Sequence, residues 1–412
     1  MRILFLSNYY PPYSQGGYEQ LCREIGYELS RRGNEVMVLT SGHEQSDERD
    51  GPVLIRRALP LEVEGGLAHT LANLTFGGRG SAVRRGVAVV EQTVAEFAPD
   101  VALVWGMWNV PRVVPAAVER LLPTAYYLCD YWPALPNAFI QRLREPARHS
   151  LAHWPKSLVT ELVLPKLLTG PQPWLTFRHV ACVSEAIRDI VIAHDIDIAS
   201  AQIIRNGIQL SDFSSNRAES ALPEYPLRLI YAGRITPDKG LATVIHAIHQ
   251  IERRECGLVH LSVYGAGEDA YIELLKDQVD VERLPVTFNG FVPRDKFPEV
   301  LAREKVLVLP SGVIEALPRV VIEAMAAGLV VVGTTTGGTG EVLRDGETGL
   351  TFDAGDAAGL ARQIERLAAD PELRARLATA GQEVVMRDFN IDHTVDQLEA
   401  LLIRSARYQE VG

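Results

Sequence analysis

The residues best suited to chemistry lie in one segment, KVLVLPSGVIEALPRVVIEAMAAG, at positions 305–328. An apolar run ends there in a Pro-Ser-Gly turn, and Glu315 follows in the next loop. Pro318 suits the first turn of a helix, where its missing N–H costs no hydrogen bond. We therefore predict a helix from Arg319 to Ala327 that stops at Gly328.

The start of this predicted helix could bind an anion. The amides near Arg319, Val320 and Val321 have no intrahelical acceptor and carry the positive end of the helix dipole, which suits a phosphate. Glu323 lies about 7 Å further along the axis at ~1.5 Å per residue, where ribose hydroxyls of a nucleotide could reach it. Glu315, which precedes the helix, would face the other way along the ligand, toward the group attached to the phosphate. Glu323 could instead be a solvated helix residue, but its apolar neighbours favour a buried carboxylate with a partner.

Two cations and several glycines follow other predicted strands. Arg234 and Lys239 come after the strand at 227–232 and Gly233, and they could bind phosphate or lie in a solvated turn. Gly16-Gly17 precedes a helix, where backbone could approach a ligand closely. Gly265-Ala-Gly267 is an incomplete dinucleotide fingerprint in the second βα turn of its domain, and the next strand lacks the acid that an NAD site needs. We read it as a loop near a nucleotide.

The elements that would position these residues form a βα alternation that occurs twice. Apolar strands separated by helices indicate parallel sheets covered on both faces. The polar stretch at 212–224 has the character of a linker. We read 133–178, which is rich in Pro, Trp, Arg and Leu, as a helical insertion or loop. The predicted strands are 2–7, 35–40, 101–105, 124–129, 179–183, 227–232, 258–264, 285–289, 305–309 and 329–333. The predicted C-terminal helices are 356–369, 371–388 and 392–410.

Composition excludes several classes of protein. The chain has 412 residues, 41 Lys+Arg against 52 Asp+Glu and a net charge of −11. An acidic total disfavours a nucleic-acid partner, and 47% hydrophobic residues argue against disorder. No run approaches the ~20 apolar residues that span a bilayer. The four scattered cysteines have no zinc spacing, which indicates free thiols in a reducing compartment.

The motifs together resemble one family. NYYPPYSQGGYE, CVSEAIRD, IRNGIQLSDF, YAGRITPDKG, VYGAGE, FNGFVP, the Glu-x7-Glu segment and TGGTGEVLRDGETGL occur in its order. By this resemblance the chain is identified as a member of the retaining glycosyltransferases of family 4, and the resemblance covers essentially the whole sequence. It implies the α/β GT-B fold, in which two Rossmann-like domains face each other across a cleft. It places an acceptor-binding domain at 1–215, a nucleotide-sugar domain at 222–388 and a helix at 390–412 that packs back on the N-terminal domain.

The resemblance also assigns roles. Arg234 and Lys239 would bind the donor diphosphate, where cations stabilise the charge of the leaving group. Gly17 would lie near the donor phosphate or the acceptor, and the backbone of Val292 would meet the base. The donor-binding set is completed by residues of the glycine loops and of the Glu-x7-Glu segment: Gly16, Gly233, Gly265, Leu317, Pro318, Arg319, Val320, Val321 and Glu323.

Asp130 is the candidate that departs from the family pattern. A His-Asp pair is common there, but this sequence has Cys129-Asp130, and cysteine cannot make the same hydrogen bonds. Asp130 could contact a sugar or cap the following loop. Trp105 and Trp108 could stack on a sugar or pack in the core. The basic, aromatic segment 141–156 could meet a membrane or an anionic acceptor, although a solvated helix rim explains it as well.

The predicted function is retaining transfer of a hexose-type sugar from a nucleoside diphosphate sugar, most simply a UDP-sugar, to a hydroxyl of a glycan, lipid or small molecule. Glu315 would hold the transferred sugar. The family implies no cofactor and no metal; Asp195-Ile-Asp197 resembles a DxD metal motif only in its letters. A nucleotide-sugar-binding protein without activity and a GT-B sugar-phosphate synthase or phosphorylase are the alternatives. We expect a cytoplasmic protein, with weak contact to the inner membrane face, and acceptor specificity in the N-terminal loops at 43–82 and 131–178.

Overall fold

The computed structural model describes residues 1–13, 16–42, 46–61, 78–135, 174–214 and 225–408. The chain divides into two compact units, Met1–Ile204 with Val395–Gly412, and Arg205–Thr394. Each unit is a mainly parallel sheet with helices, so the predicted α/β class is confirmed. The second unit begins ahead of the polar stretch at 212–224, because Asn206 and Gly207 already bond to Leu317 and Thr394 of that unit.

The first unit contains an eight-stranded sheet in the order β3-β4-β2-β1-β5-β6-β7-β8, in which only β3 runs antiparallel to its neighbour. Its strands are β1 Arg2–Leu6, β2 Glu35–Thr40, β3 Ser46–Asp50, β4 Val53–Arg57, β5 Val101–Val104, β6 Thr124–Leu128, β7 His179–Cys182 and β8 Gln202–Ile203. Its helices are α1 Gly17–Arg31, α2 Gly78–Phe97, α3 Val113–Leu121 and α4 Glu185–Ile192. The central strands β5 and β6 are buried at every residue, as their unbroken apolar sequences predict.

The hairpin of β3 and β4 was not predicted, because 43–82 was expected to be loop. Its inner strand alternates strictly, with Val53, Ile55 and Arg57 buried. Its outer strand is SDERD, a run of charges with no apolar signal. Arg57 Nε bonds Glu48 at 2.5 Å across the pair, so cross-strand ion pairing replaces apolar packing at this edge.

The second unit contains a six-stranded sheet, parallel throughout, in the order β11-β10-β9-β12-β13-β14. Its strands are β9 Leu227–Ala232, β10 Val259–Tyr264, β11 Val286–Gly290, β12 Val306–Leu309, β13 Val330–Gly333 and β14 Leu350–Thr351. Its helices are α5 Ser211–Ser214, α6 Leu241–Arg254, α7 Asp269–Glu282, α8 Phe297–Leu301, α9 Arg319–Ala326, α10 Ala357–Ala369 and α11 Pro371–Asp388. Because β9 and β12 are adjacent, the loops that follow them leave the same edge of the sheet.

The last helix, α12 Ile391–Tyr408, begins in the second unit, and from Val395 it belongs to the first. Arg32, at the end of α1, bonds Asp396 at 2.6 Å and Glu399 at 3.3 Å. These ion pairs attach the helix to the first unit. Among the described residues, none of the helices has the length and apolar character that crossing a bilayer requires.

Candidate functional site

The loop after β9 packs tightly on the end of β12. Gly240 has φ +77°, and a Cβ on it would lie 2.1 Å from the carbonyl oxygen of Pro310. The amide of Gly312 donates to the carbonyl oxygen of Asp238 at 2.9 Å. Only glycine permits this approach without a clash. The contact fixes the short 3₁₀ turn Pro237–Lys239 beside the segment that carries Glu315.

Lys239 and Glu315, both predicted from the sequence, meet in an ion pair. Lys239 Nζ lies 2.5 Å from Glu315 Oε1, and the two side chains are 17% and 15% exposed. The hydroxyl of Ser311 donates to the same oxygen at 2.6 Å. Arg234 is exposed on the same loop, and its carbonyl oxygen accepts the Tyr231 hydroxyl at 2.6 Å. The structure therefore places two cations and one anchored carboxylate after neighbouring strands.

A second glycine loop lies directly against the first. Gly265 has φ +147°, and a Cβ there would come within 1.8 Å of the carbonyl oxygen of Gly233. The amide of Ile235 donates to the carbonyl oxygen of Ala266 at 2.8 Å. The amide of Gly265 donates to the carbonyl oxygen of Gly290, and half-buried Val292 follows two residues later. Gly233, Gly265 and the start of the FVP turn are thereby brought together.

Helix α9 begins at Arg319, as predicted, and ends at Ala326, one residue before the predicted end. Pro318 is its N-cap rather than its first helical residue, and the carbonyl oxygen of Pro318 accepts the amide of Val321 at 3.1 Å. The expectation that Val321 offers an unpaired amide is therefore wrong, because the first turn tightens onto the proline carbonyl. The carbonyl of Leu317 accepts from Asn206 at 3.1 Å, which fixes the approach to the helix.

Glu323 is buried, at 1% exposure, so the alternative of a solvated residue is wrong. Its Oε1 accepts from Arg319 Nε at 3.3 Å and is in contact with Arg294 Nη2. Burial raises the pKa of this carboxyl, but the two guanidinium groups outweigh burial and hold the pKa below its usual value. Sequence reasoning missed Arg294, and the only signal was a basic residue directly after the FVP turn.

The glycine loop of the first unit is held by its own helix. Gly16 is the N-cap of α1, and its amide donates to Oε2 of Glu19 at 3.0 Å, which is the one half of a capping box that a glycine can form. Glu19 is fully buried. The Gly16 amide is therefore already used within the protein, whereas Gly17 opens the helix. Positions 14 and 15 lie outside the described residues.

Asp130 caps the loop that follows it, as one of the two interpretations anticipated. Its Oδ1 accepts the amide of Trp132 at 2.6 Å. Burial, and to a lesser extent the charge of Glu19, raise the pKa of Asp130 to about 6, against the opposing Trp132 hydrogen bond. Cys129 is buried, and burial raises the pKa of its thiol well above the usual range. The Cys129 thiol, next to Asp130, is thus neutral and a poor nucleophile.

The two tryptophans considered as sugar-stacking candidates differ in burial. Trp105 is fully buried, bonds the carbonyl oxygen of Tyr18 at 3.2 Å and lies edge-on to Tyr127 at 4.9 Å, so it is a core residue. Trp108 is 36% exposed. The basic segment 141–156 lies outside the described residues.

Two units, each built on a mainly parallel sheet, are the parts of the GT-B fold, and solved glycosyltransferases share this fold. A sucrose-phosphate synthase from Thermosynechococcus elongatus superimposes with a TM-score of 0.73 at 20% identity, covering 98% of each chain. HepE of Anabaena, in complex with UDP-glucose, gives 0.69 at 21% identity over 98% of this chain and 100% of its own. The predicted fold is confirmed.

Sequence comparison agrees with the fold. Residues 212–384 match the family model for "Glycosyl transferases group 1". A glycogen synthase of Mycobacterium tuberculosis is 26% identical over 406 residues, covering 95% of this chain and 91% of that protein. These matches support a glycosyltransferase enzyme, as the ordered motifs predicted, with the group 1 glycosyltransferase sequence lying in the second unit.

Proposed function

We propose that this chain is a retaining transferase that moves a hexose from a UDP-sugar to a hydroxyl of a glycan, lipid or small molecule. The observation that carries the proposal is the Lys239–Glu315 ion pair, braced by Ser311, beside the start of α9. A cation beside the diphosphate would stabilise the charge that develops on the leaving group, and an anchored carboxylate could accept hydrogen bonds from sugar hydroxyls. The complex of HepE with UDP-glucose supports a UDP-sugar as the donor.

The second unit would bind the donor. Arg234 offers a planar fork and Lys239 a point charge to the diphosphate, while the amides that precede Val321 in α9 add partial positive charge. Glu315 would hold hydroxyls of the transferred sugar. These groups act on charge that develops as the bond between sugar and phosphate breaks, so they favour the transition state over bound donor.

The nucleoside would lie along the FVP turn and α9. The backbone of Val292 would meet the base. Glu323 would accept the ribose hydroxyls, because Arg294 and Arg319 keep this buried carboxylate ionised and therefore a strong acceptor. Leu317 and Pro318 would shape the path between sugar and phosphate.

The first unit would present the acceptor. In same-face transfer the acceptor oxygen bonds to the anomeric carbon as the bond to phosphate breaks, and the departing phosphate takes the hydroxyl proton. No protein nucleophile is then needed, which agrees with the neutral, buried thiol of Cys129. Asp130 would contact the acceptor or donor sugar through the carboxylate that also caps its loop, and Gly17 would lie near the reacting groups.

We propose that neither metal nor cofactor takes part, because Arg234, Lys239 and the helix amides supply the positive charge. Four free cysteines, three of them buried, support a cytoplasmic location. Weak contact with the inner membrane face is proposed for a lipid acceptor.

The proposal is tested by a thermal-shift panel of UDP-, GDP- and ADP-sugars, followed by donor hydrolysis without acceptor. Binding to the folded state raises Tm by an amount that grows with the logarithm of the ratio of ligand concentration to Kd. We expect a UDP-sugar to give the largest shift and slow release of UDP. A larger shift with GDP- or ADP-sugars would overturn the choice of base, and binding without any turnover would favour a nucleotide-sugar-binding protein.

A further inference from the structure

The carboxylate of Glu315 is held by a chain of hydrogen bonds that starts on the neighbouring strand. Thr334 follows β13 and donates its hydroxyl to the carbonyl oxygen of Ser311 at 2.7 Å. The hydroxyl of Ser311 then donates to Glu315 Oε1 at 2.6 Å. Thr334 and Ser311 are 2% and 1% exposed. The Thr334 bond is therefore shielded from water, which would otherwise offer competing partners, and the Ser311 bond is partly shielded.

The Ser311 hydroxyl has two acceptors within reach, and they are unequal. The carbonyl oxygen of Val313 lies at 3.4 Å, whereas the Glu315 oxygen lies at 2.6 Å and carries charge. A short bond to an ionised acceptor is about twice as strong as one between neutral groups. The proton therefore points at Glu315.

The same segment also holds the main chain of Glu315. The amide of Gly338 donates to the Glu315 carbonyl oxygen at 2.8 Å, and residues 315 and 337 form a parallel bridge. Gly337 has φ +58°, and a Cβ there would lie 2.2 Å from the Glu315 carbonyl oxygen. Residues 334–338 thus fix both the backbone and, through Ser311, the side chain of Glu315.

We propose that Ser311 and Thr334 are positioning residues for the donor sugar, acting through Glu315. This inference rests on the proposed role of Glu315 in holding that sugar. Ser311 and Lys239 both bind Oε1, which stops rotation of the carboxylate and assigns Oε2 to the sugar hydroxyl. Reaction rates are sensitive to such placement, because a small displacement of a bound group removes much of the benefit of orientation.

The experiment is a double-mutant cycle between Ser311→Ala and Glu315→Gln, measured as UDP release from UDP-glucose and UDP-galactose, with the Kd for UDP as the second readout. Using the donor that the wild type turns over, we expect Ser311→Ala to lower kcat/KM about tenfold, from loss of one charge-assisted bond. The Kd for UDP should change less than about twofold. In the Glu315→Gln background Ser311→Ala should add little, because its route of action is already weakened.

If Ser311→Ala fails to fold, Thr334→Val takes its place in the double-mutant cycle with Glu315→Gln, because it leaves the Ser311 hydroxyl intact. Its control is Thr335→Val, since Thr335 is the exposed neighbour. Equal losses from Ser311→Ala with Glu315 or Gln at 315, or a parallel loss of UDP affinity, would overturn the inference. If the wild type turns over neither donor and binds no UDP, the proposed function fails instead, so the two failures are distinguishable.

Discussion

Replacing Lys239 by methionine tests the proposed donor site most sharply, because this lysine has a matched control. Lys239 pairs with Glu315 at 2.5 Å with both side chains largely buried. Lys276 pairs with Glu273 at 2.9 Å on the surface of α7, where the side chains are 42% and 63% exposed. Both substitutions remove one positive charge and one ion pair from the same unit, but only the first removes a proposed contact to the diphosphate.

The two variants should differ in stability by a predictable amount. Breaking a fully buried pair costs about 3–5 kcal/mol, and an exposed pair is worth less than ~1 kcal/mol. Lys239 retains 17% exposure, so we expect a cost of about 2 kcal/mol for Lys239→Met. At about 2–4 °C per kcal/mol for a unit of this size, Tm should fall by about 4–8 °C. Lys276→Met removes an exposed pair within one helix turn, worth about 0.5 kcal/mol, and should therefore lower Tm by about 2 °C or less.

The effect on activity should be much larger than the effect on stability. Removing one preorganised group that stabilises developing charge costs about 10²–10³ in kcat. The assay is the initial rate of UDP release at saturating donor, well below the Tm of every variant. Lys276→Met should match the wild type. A Lys239→Met rate within about threefold of wild type would refute the assignment, because losing a contact to the diphosphate should slow the reaction far more than this.

Three further predictions concern other residues of the two units. Burial raises the pKa of Asp130 from 3.8 to about 6, so ionisation weakens folding as pH rises through that interval. The Tm of Asp130→Asn should therefore increase relative to the Tm of the wild type as the pH rises from ~4 to ~6.5. A difference in Tm that does not change with pH would contradict this. Arg294→Met removes one of two cations from buried Glu323 and should cost about 2 kcal/mol in denaturant unfolding, less than the loss of a sole partner because a second arginine remains. Gly240→Ala should cost about 1–3 kcal/mol more than Gly346→Ala in the same assay: both glycines have φ above +70°, but only Gly240 has a carbonyl oxygen 2.1 Å from the new Cβ.

Much of the fold could be predicted because its strands are short apolar runs bounded by glycine and polar loops. RILFLS, VALVW and LRLIYA read as buried strands and are buried strands. Glu315 and Lys239 could be found because their loops follow apolar strands of one parallel sheet, and such loops meet at one edge. The hairpin strand at Ser46–Asp50 could not be found, because a charged edge strand carries no hydrophobic period.

The finer geometry of the site depends on contacts between residues distant in sequence. Arg294 reaches Glu323 from a turn 29 positions earlier, and Thr334 reaches Ser311 from 23 positions later. Neither pair has a spacing that indicates contact, because parallel strands bring loops together only after the strand order is known. The amide of Val321 was misjudged for a local reason: the first turn closes onto the Pro318 carbonyl, which a sequence pattern does not reveal.

The central claim is that the second unit binds a nucleoside diphosphate through the loop at 233–240 and the start of α9. Amide hydrogen exchange of the full chain with and without saturating UDP tests this directly, since bound amides exchange more slowly. We predict slower exchange in peptides covering Gly233–Gly240 and Pro318–Val321. UDP binding accompanied by protection only within Met1–Ile204 would contradict the account.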